Sequence, residues 1–189
     1  MKTLYIIAGC NGAGKTTASI TILPEILQCR EFVNADEIAK GLSPFNPGSV
    51  AIEAGRLMLE RIAVLIKGKE SFAIETTLST RSYAKLVAEA QQRGFNVRLL
   101  FFWLPSPEHA IERVAQRVKE GGHNIPIDVI RRRYQAGINN LFNIYIPIVD
   151  SWMIVENHRN PCSLIADGDL ENTNIFSPVL YNKLKAYVK

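Results

Sequence analysis

GCNGAGKT, Gly9 to Thr16, fits the pattern Gly-x-x-x-x-Gly-Lys-[Ser/Thr], and what surrounds it decides the fold. Before it stands TLYIIA, a short apolar run rich in β-forming residues. After it TTASITIL keeps a helical apolar period, with no Gly or Pro until Pro24. The order is strand, glycine loop, helix, the context this motif requires. Glycines let successive backbone N–H groups converge on a polyphosphate, and the positive end of the following helix faces the same anion. In that reading Gly9, Asn11, Gly12, Ala13, Gly14, Lys15, Thr16 and Thr17 hold a nucleotide. Lys15 meets the outer phosphates and the Thr16 hydroxyl ligates Mg²⁺. The plainer reading is a turn that only joins strand to helix. With Gly at roughly 7% of residues on average, chance rarely produces so ordered a match.

The chain has 189 residues, 47% hydrophobic and 21% charged, a balance that fits one globular domain over 1–189. No apolar run approaches the roughly 20 residues of a membrane span. The N-terminal apolar stretch leads into a phosphate loop rather than a small-residue cleavage site, so a cytoplasmic location is expected. The cysteines, Cys10, Cys29 and Cys162, are odd in number and contain no Cys-x-x-Cys pair, which argues against a zinc site or a disulfide framework. Cys10 lies inside the glycine loop, where a positive field would lower its pKa, although a small loop residue is the plainer role. A net charge of +4 is mild, and phosphate handling explains it without nucleic acid.

Downstream, strands and helices alternate. Pro24 lacks an N–H and clashes with the preceding turn, so the first helix stops near Leu23 or continues bent through EILQ. Glu31 to Val33 read as a second strand, with Asn34 and Asp36 where it gives way to a helical turn. LSPFNPGS is a loop, and Val50, Ala54, Leu57, Met58, Ile62, Leu65 and Ile66 then mark a long helix stopped at Gly68. SFAIE is a third strand that runs into ETTLST and a helix bearing Tyr83, Leu86, Val87 and Ala90, closed by Gly94. NVRLLFFWLP is the most continuous apolar run and reads as a central parallel strand covered on both faces. SPEHAIERVAQRVKEGG opens with Ser106 as N-cap and Pro107 at the first helical position, and stops at Gly121 and Gly122.

The helix after Pro126 buries Ile130, Tyr134, Ile138 and Leu141. On a helical wheel Arg132 points away from that stripe, while Arg131 and Arg133 flank it. SWMIVEN is a fifth strand, SLIAD a sixth or an edge element, and FSPVLYNKLKAYVK a terminal helix. The alternation means a doubly wound, mostly parallel α/β sheet with helices on both faces, of the phosphate-loop NTPase and kinase type.

A phosphate loop alone does not separate kinases from switches and motors. The guanine-reading Asn-Lys-x-Asp element is absent, and the chain is short for a transporter ATPase or helicase, which favours a small-molecule kinase. Phosphoryl transfer needs Mg²⁺, cations around the moving phosphoryl group and a carboxylate for the acceptor hydroxyl. Asp36 and Glu75 both stand at strand ends on the rim that carries the phosphate loop. The plainer role for either is a carboxylate at a helix N-terminus, worth about 0.3 to 1 kcal/mol. Arg113 and Arg117 share one helix face, and Arg131 to Arg133 follow on the next, across Gly121, Gly122 and His123. Residues 106–140 thus read as a helical lid that carries arginines to the phosphates. The plainer reading is two solvated faces. His109 and His123 have no partner visible in sequence, so a metal role is not expected of either.

IAGCNGAGKTT, NADEIAKGLSPFNP, FAIETTLSTRSYA, LPSPEHAIERVAQRVKEGGHNIP and RRRY together resemble the zeta-toxin-like phosphate-loop kinases, especially the branch labelled predicted ABC-type ATPase. The resemblance spans roughly residues 3 to 157 and implies strand order 2-3-1-4-5. It implies ATP as phosphoryl donor, the 3′-hydroxyl of UDP-N-acetylglucosamine as acceptor, and an antitoxin protein as partner. By motif match Asp36 falls on the base, Glu75 on a residue that holds the sugar substrate, Thr77 on the threonine after it, and Arg113 on a nucleotide-binding arginine. His123 stands where the toxins place a lid arginine, and LSPFNP departs from them between Asp36 and Glu75. No Leu-Ser-Gly-Gly-Gln signature accompanies the ABC-type label.

Two functions follow. One is a kinase that moves the γ-phosphoryl group of Mg·ATP to a small-molecule hydroxyl. The other is an ATP-binding switch in which Asp36 and Glu75 organise Mg²⁺ and water and the output goes to a protein partner. Nucleic-acid binding is weaker, because the lid already accounts for the RRR cluster. In either function Lys15→Ala and Thr16→Ala should each weaken Mg·ATP binding strongly in calorimetric titration, and wild-type affinity in both variants would remove the phosphate-loop assignment.

Overall fold

The computed structural model describes residues 1–122, 124–158 and 161–189, so the expectation placed on His123 lies outside the described residues. The apolar run before the glycine loop becomes β1 (Thr3–Gly9), buried along its whole length as a strand covered on both faces must be. It lies between β3 (Phe72–Thr76) and β4 (Asn96–Trp103) and is parallel to both. β2 (Glu31–Val33) extends the sheet beyond β3, and β5 (Ser151–Glu156) extends it beyond β4, again in parallel. The expected order 2-3-1-4-5 is present, and two antiparallel strands lengthen it to β2-β3-β1-β4-β5-β6-β7. SLIAD belongs to β6 (Ser163–Asp169), a full strand; β7 (Thr173–Ile175) is three exposed residues, too short to show an alternating pattern in the sequence.

Among the described residues seven α-helices surround the sheet: α1 (Lys15–Thr21), α2 (Ala35–Leu42), α3 (Ala51–Gly68), α4 (Tyr83–Gln92), α5 (Pro107–Lys119), α6 (Ile127–Asn140) and α7 (Pro178–Lys185). None of the described helices is long and apolar enough to cross a membrane. Pro24 does not end the first helix. The chain widens into a π turn at Ile22–Ile26, where the Leu27 N–H reaches the Ile22 carbonyl at 3.0 Å, and the looser winding accommodates the proline. α3 includes Gly68, and the left-handed capping position falls one residue later on Lys69, with φ 61°. Gly94 and Gly121 do occupy left-handed positions, at φ 78° and 88°.

The sheet order turns around β1, since β3 leaves on one side and β4 on the other. The carboxyl ends of all five parallel strands meet on one edge, where ligands settle in open α/β sheets. Below that edge the core is continuous from Leu4, Ile6 and Phe72 to Leu99, Trp103 and Ile154. One buried polar junction fastens α6 to it: Trp103 Nε1 donates to the Tyr134 hydroxyl at 2.9 Å, and that hydroxyl donates to the Leu104 carbonyl at 2.7 Å. Burial holds the Tyr134 phenol well above its usual range, so it acts as a neutral donor. Tyr134→Phe leaves two buried polar groups unpaired and should cost about 1 to 3 kcal/mol in urea denaturation; unchanged stability would mean that water replaces the hydroxyl.

Candidate active site

The glycine loop is set by contact as much as by conformation. Gly9 has φ 141°, and a Cβ there would lie 2.2 Å from the Phe102 carbonyl oxygen of β4. At Gly12, φ 77°, a Cβ would stand 2.9 Å from the Ala110 carbonyl oxygen and 3.1 Å from Arg113 Cβ on α5. The loop is thus pressed between the end of β4 and the buried face of α5, where Ala110 and Val114 pack. No side chain caps the start of α1, so its first N–H groups stay available to an anion.

Glu75 is the hub of the polar site. Its side chain is 10% exposed, with Lys15 Nζ at 3.6 Å from Oε1. Thr16 Oγ1 donates to Oε2 at 2.7 Å, and Asn34 Nδ2 donates to the same oxygen at 3.0 Å. Lys15, itself buried, also donates to the Cys10 carbonyl at 3.0 Å. Asn34 then turns the network outward. Its Oδ1 accepts from the Asp36 N–H at 2.8 Å and caps α2, which leaves the Asp36 carboxylate exposed in the first turn. Asn34 is therefore the cap, and one side chain joins the Glu75 carboxylate to the helix that carries Asp36.

The arginines divide by position. Arg113 is half-buried and its Nη2 donates to the His158 carbonyl at 3.2 Å; Arg133, also half-buried, points Nη1 at Asn11 Oδ1 at 3.4 Å. Both stand at the loop. Arg117 is exposed near the end of α5, under the turn in which the Gly122 N–H bonds its carbonyl at 2.8 Å. Arg131 flanks the α6 stripe but is exposed and turned to Glu108 at 2.6 Å, while Arg132 faces solvent.

Thr77 lies in the loop after β3, half-buried, with its hydroxyl 2.9 Å from that of Ser79. The backbone there is held from α6 and the turn after it. Leu78 is fully buried at φ 59°, Asn140 Nδ2 donates to its carbonyl at 2.8 Å, and the Tyr145 hydroxyl donates to the Thr80 carbonyl at 2.7 Å. Asn140 and Tyr145 carry no motif, and only tertiary contact reveals them. Cys10 corrects the expectation of a lowered pKa: burial pushes its thiol up to about 11, which outweighs the opposing influence of Lys15 and Arg113. His109 Nδ1 pairs with Ser106 Oγ at 2.8 Å, and its ring packs edge-on against His158 at 4.3 Å. Among the described residues no group of three or more His, Cys, Asp or Glu is placed to hold a metal ion. Beside the loop a cleft of about 440 Å³ is lined by Gly14, Thr17, Arg113, Asn157, His158 and Cys162.

Comparison with known proteins accords with this geometry. The zeta toxin family model matches residues 1–160. An uncharacterized protein of Haemophilus influenzae is 33% identical over 126 residues, 67% of this chain and 88% of that protein. The fold resembles that of AvrRxo1-ORF1 in the crystal structure of AvrRxo1-ORF1:-ORF2 with ATP, with a TM-score of 0.80 at 20% identity over 97% of this chain. This chain spans 63% of the length of that one. It also resembles a chain of the PezAT chromosomal toxin-antitoxin system of Streptococcus pneumoniae, with a TM-score of 0.72 at 19% identity, covering 100% of this chain and 78% of that one. A phosphate loop at the turning point of a parallel sheet, and a family match across both carboxylates and Arg113, lead to one conclusion: the chain belongs to the zeta toxin family.

Proposed function

We propose that the protein is an ATP-dependent phosphotransferase whose acceptor is the hydroxyl of a small molecule, with a sugar nucleotide such as UDP-N-acetylglucosamine as the acceptor class. The observation that carries this reading is the chain of side chains from the phosphate loop through Glu75 and Asn34 to the Asp36 helix. It runs from the glycine loop to an exposed carboxylate on the same rim of the sheet, which supports a nucleotide held beside an acceptor base. Mg·ATP, when bound, supplies the phosphoryl group and the cation that offsets its charge. The residues present fit it: the loop has two glycines in left-handed conformation next to uncapped helix N–H groups, and Thr16 offers a hydroxyl ligand.

Thr16 gives its proton to Glu75, which leaves the hydroxyl lone pairs free for a metal, so Glu75 serves to orient that ligand. Lys15 holds the outer phosphates, and Arg113 and Arg133 flank the loop from α5 and α6. The cleft of about 440 Å³ is of a size for a nucleoside. Residues 106–140 act as the lid, anchored by Ala110, Val114 and Tyr134, with Arg117 near the end of α5. Asp36 accepts the acceptor proton, and Glu75 and Thr77 border the acceptor side. By likeness to the named toxin-antitoxin system, an antitoxin protein is the expected partner in a cytoplasmic setting.

Asp36→Asn preserves shape but not basicity, so single-turnover transfer should fall about 100-fold or more while ATP affinity holds. Intact transfer would remove Asp36 as base, and ATP loss without a phosphorylated product by mass spectrometry would favour the switch instead. Among the arginines, Arg113→Ala, Arg117→Ala and Arg133→Ala should each slow transfer more than Arg132→Ala. Equal, near-zero effects at all four positions would make these helix faces merely solvated.

A further inference from the structure

Asn157 follows β5 immediately and lies far from the glycine loop in sequence, yet it touches the centre of that loop. Its Nδ2 donates to the Ala13 carbonyl at 2.7 Å. Its own N–H donates to the Trp103 carbonyl at 2.9 Å, continuing the β4–β5 pairing past Glu156, so the side chain projects from a fixed point of the sheet. The contact is close as well as polar. A Cβ on Gly14 would stand 2.6 Å from Asn157 Nδ2, so glycine at this position, with φ 79°, is what admits the asparagine.

The planar peptide turns this contact into aim. In a trans peptide the carbonyl and the following N–H point in opposite directions. Holding the Ala13 carbonyl on Asn157 therefore directs the Gly14 N–H away from Asn157, and among the described residues that N–H has no hydrogen-bond partner. Without the asparagine, the Ala13–Gly14 peptide could flip by opposed changes in Ala13 ψ and Gly14 φ, because a glycine at position 14 accepts φ of either sign. The next residue works on the same site, because the His158 carbonyl takes Arg113 Nη2 at 3.2 Å.

We propose that Asn157 is a positioning residue of the phosphate site: it sets the Ala13–Gly14 peptide so that the Gly14 N–H faces the bound polyphosphate. This rests on the phosphate-site reading above, and a reference variant separates the two. The full chain is titrated calorimetrically with inorganic tripolyphosphate and with ATP, both with Mg²⁺, in wild type, Asn157→Ala, Asn157→Leu and Lys15→Ala. Asn157→Leu keeps nearly the same size and adds no charge but cannot donate to a carbonyl, and it decides the matter if the alanine variant melts early.

Both Asn157 variants should bind tripolyphosphate and ATP about tenfold more weakly, by the same factor for each ligand, the scale of one hydrogen bond. The Gly14 amide resonance, which should shift on adding tripolyphosphate to wild type, should shift much less in either variant. A purely structural role would lower the melting temperature without that change. Weaker binding of ATP alone would make Asn157 a nucleoside contact and overturn the proposal. Unchanged tripolyphosphate affinity in both variants, with Lys15→Ala defective, would overturn it too. If Lys15→Ala also binds tripolyphosphate normally, the phosphate site itself is misassigned.

Discussion

The carboxylate of Glu75 is the constraint on which the site depends. It is largely removed from water, and a buried charge is tolerated only when its oxygens are satisfied. Here Lys15, Thr16 and Asn34 satisfy it, from the helix after the loop and from the end of the neighbouring strand. Removing a partner of a buried charge typically costs about 3 to 5 kcal/mol. The arrangement therefore ties the loop to the β2 side of the sheet and fixes the Thr16 proton. It also means that the loop's cation and hydroxyl are already held in place before any ligand arrives, a form of preorganisation that lowers the entropic cost of binding.

On the opposite side the loop is held by contact with the β4–β5 side. Gly9 lies against Phe102, Gly12 against Ala110 and Arg113, and Gly14 against Asn157. Each glycine thus meets a different element, so the motif is a record of three close approaches as well as of backbone freedom. The loop sits at the turning point of the sheet because β3 and β4 leave β1 on opposite sides, and this opens the crevice between them.

α5 and α6 combine support with function. Their inner faces pack on the loop and the core through Ala110, Val114, Ile130 and Tyr134, and the same helices bring Arg113 and Arg133 to the loop. α6 also supports the loop after β3 through Asn140. A movement of α6 would therefore be felt at Thr77 and Leu78, the segment next to Glu75, because α6 runs so close that a Cβ added at Gly137 would stand 2.7 Å from the Thr77 carbonyl oxygen.

Much was legible in the sequence because the relevant physics is local. Strand period, the Ser106 cap, the glycine stops after α4 and α5 and the phosphate-loop spacing are all set by neighbours within a few residues, and from them a mostly parallel, doubly wound sheet could be read with Lys15, Thr16, Asp36 and Glu75 on one rim, whereas the strand order came from the family resemblance. Tertiary structure alone decided how these residues meet. Glu75 reaches Thr16 across 59 residues, Arg133 reaches Asn11 across 122 and Asn157 reaches Ala13 across 144, and no sequence period encodes such pairings. The same holds where burial overrode the local field at Cys10, where Arg131 turned to Glu108 while Arg133, on the other flank of the same stripe, reached Asn11, and where a π turn absorbed Pro24. In each case the outcome depends on which distant surface the residue is packed against, a quantity fixed only when the sheet and its helices close around one core.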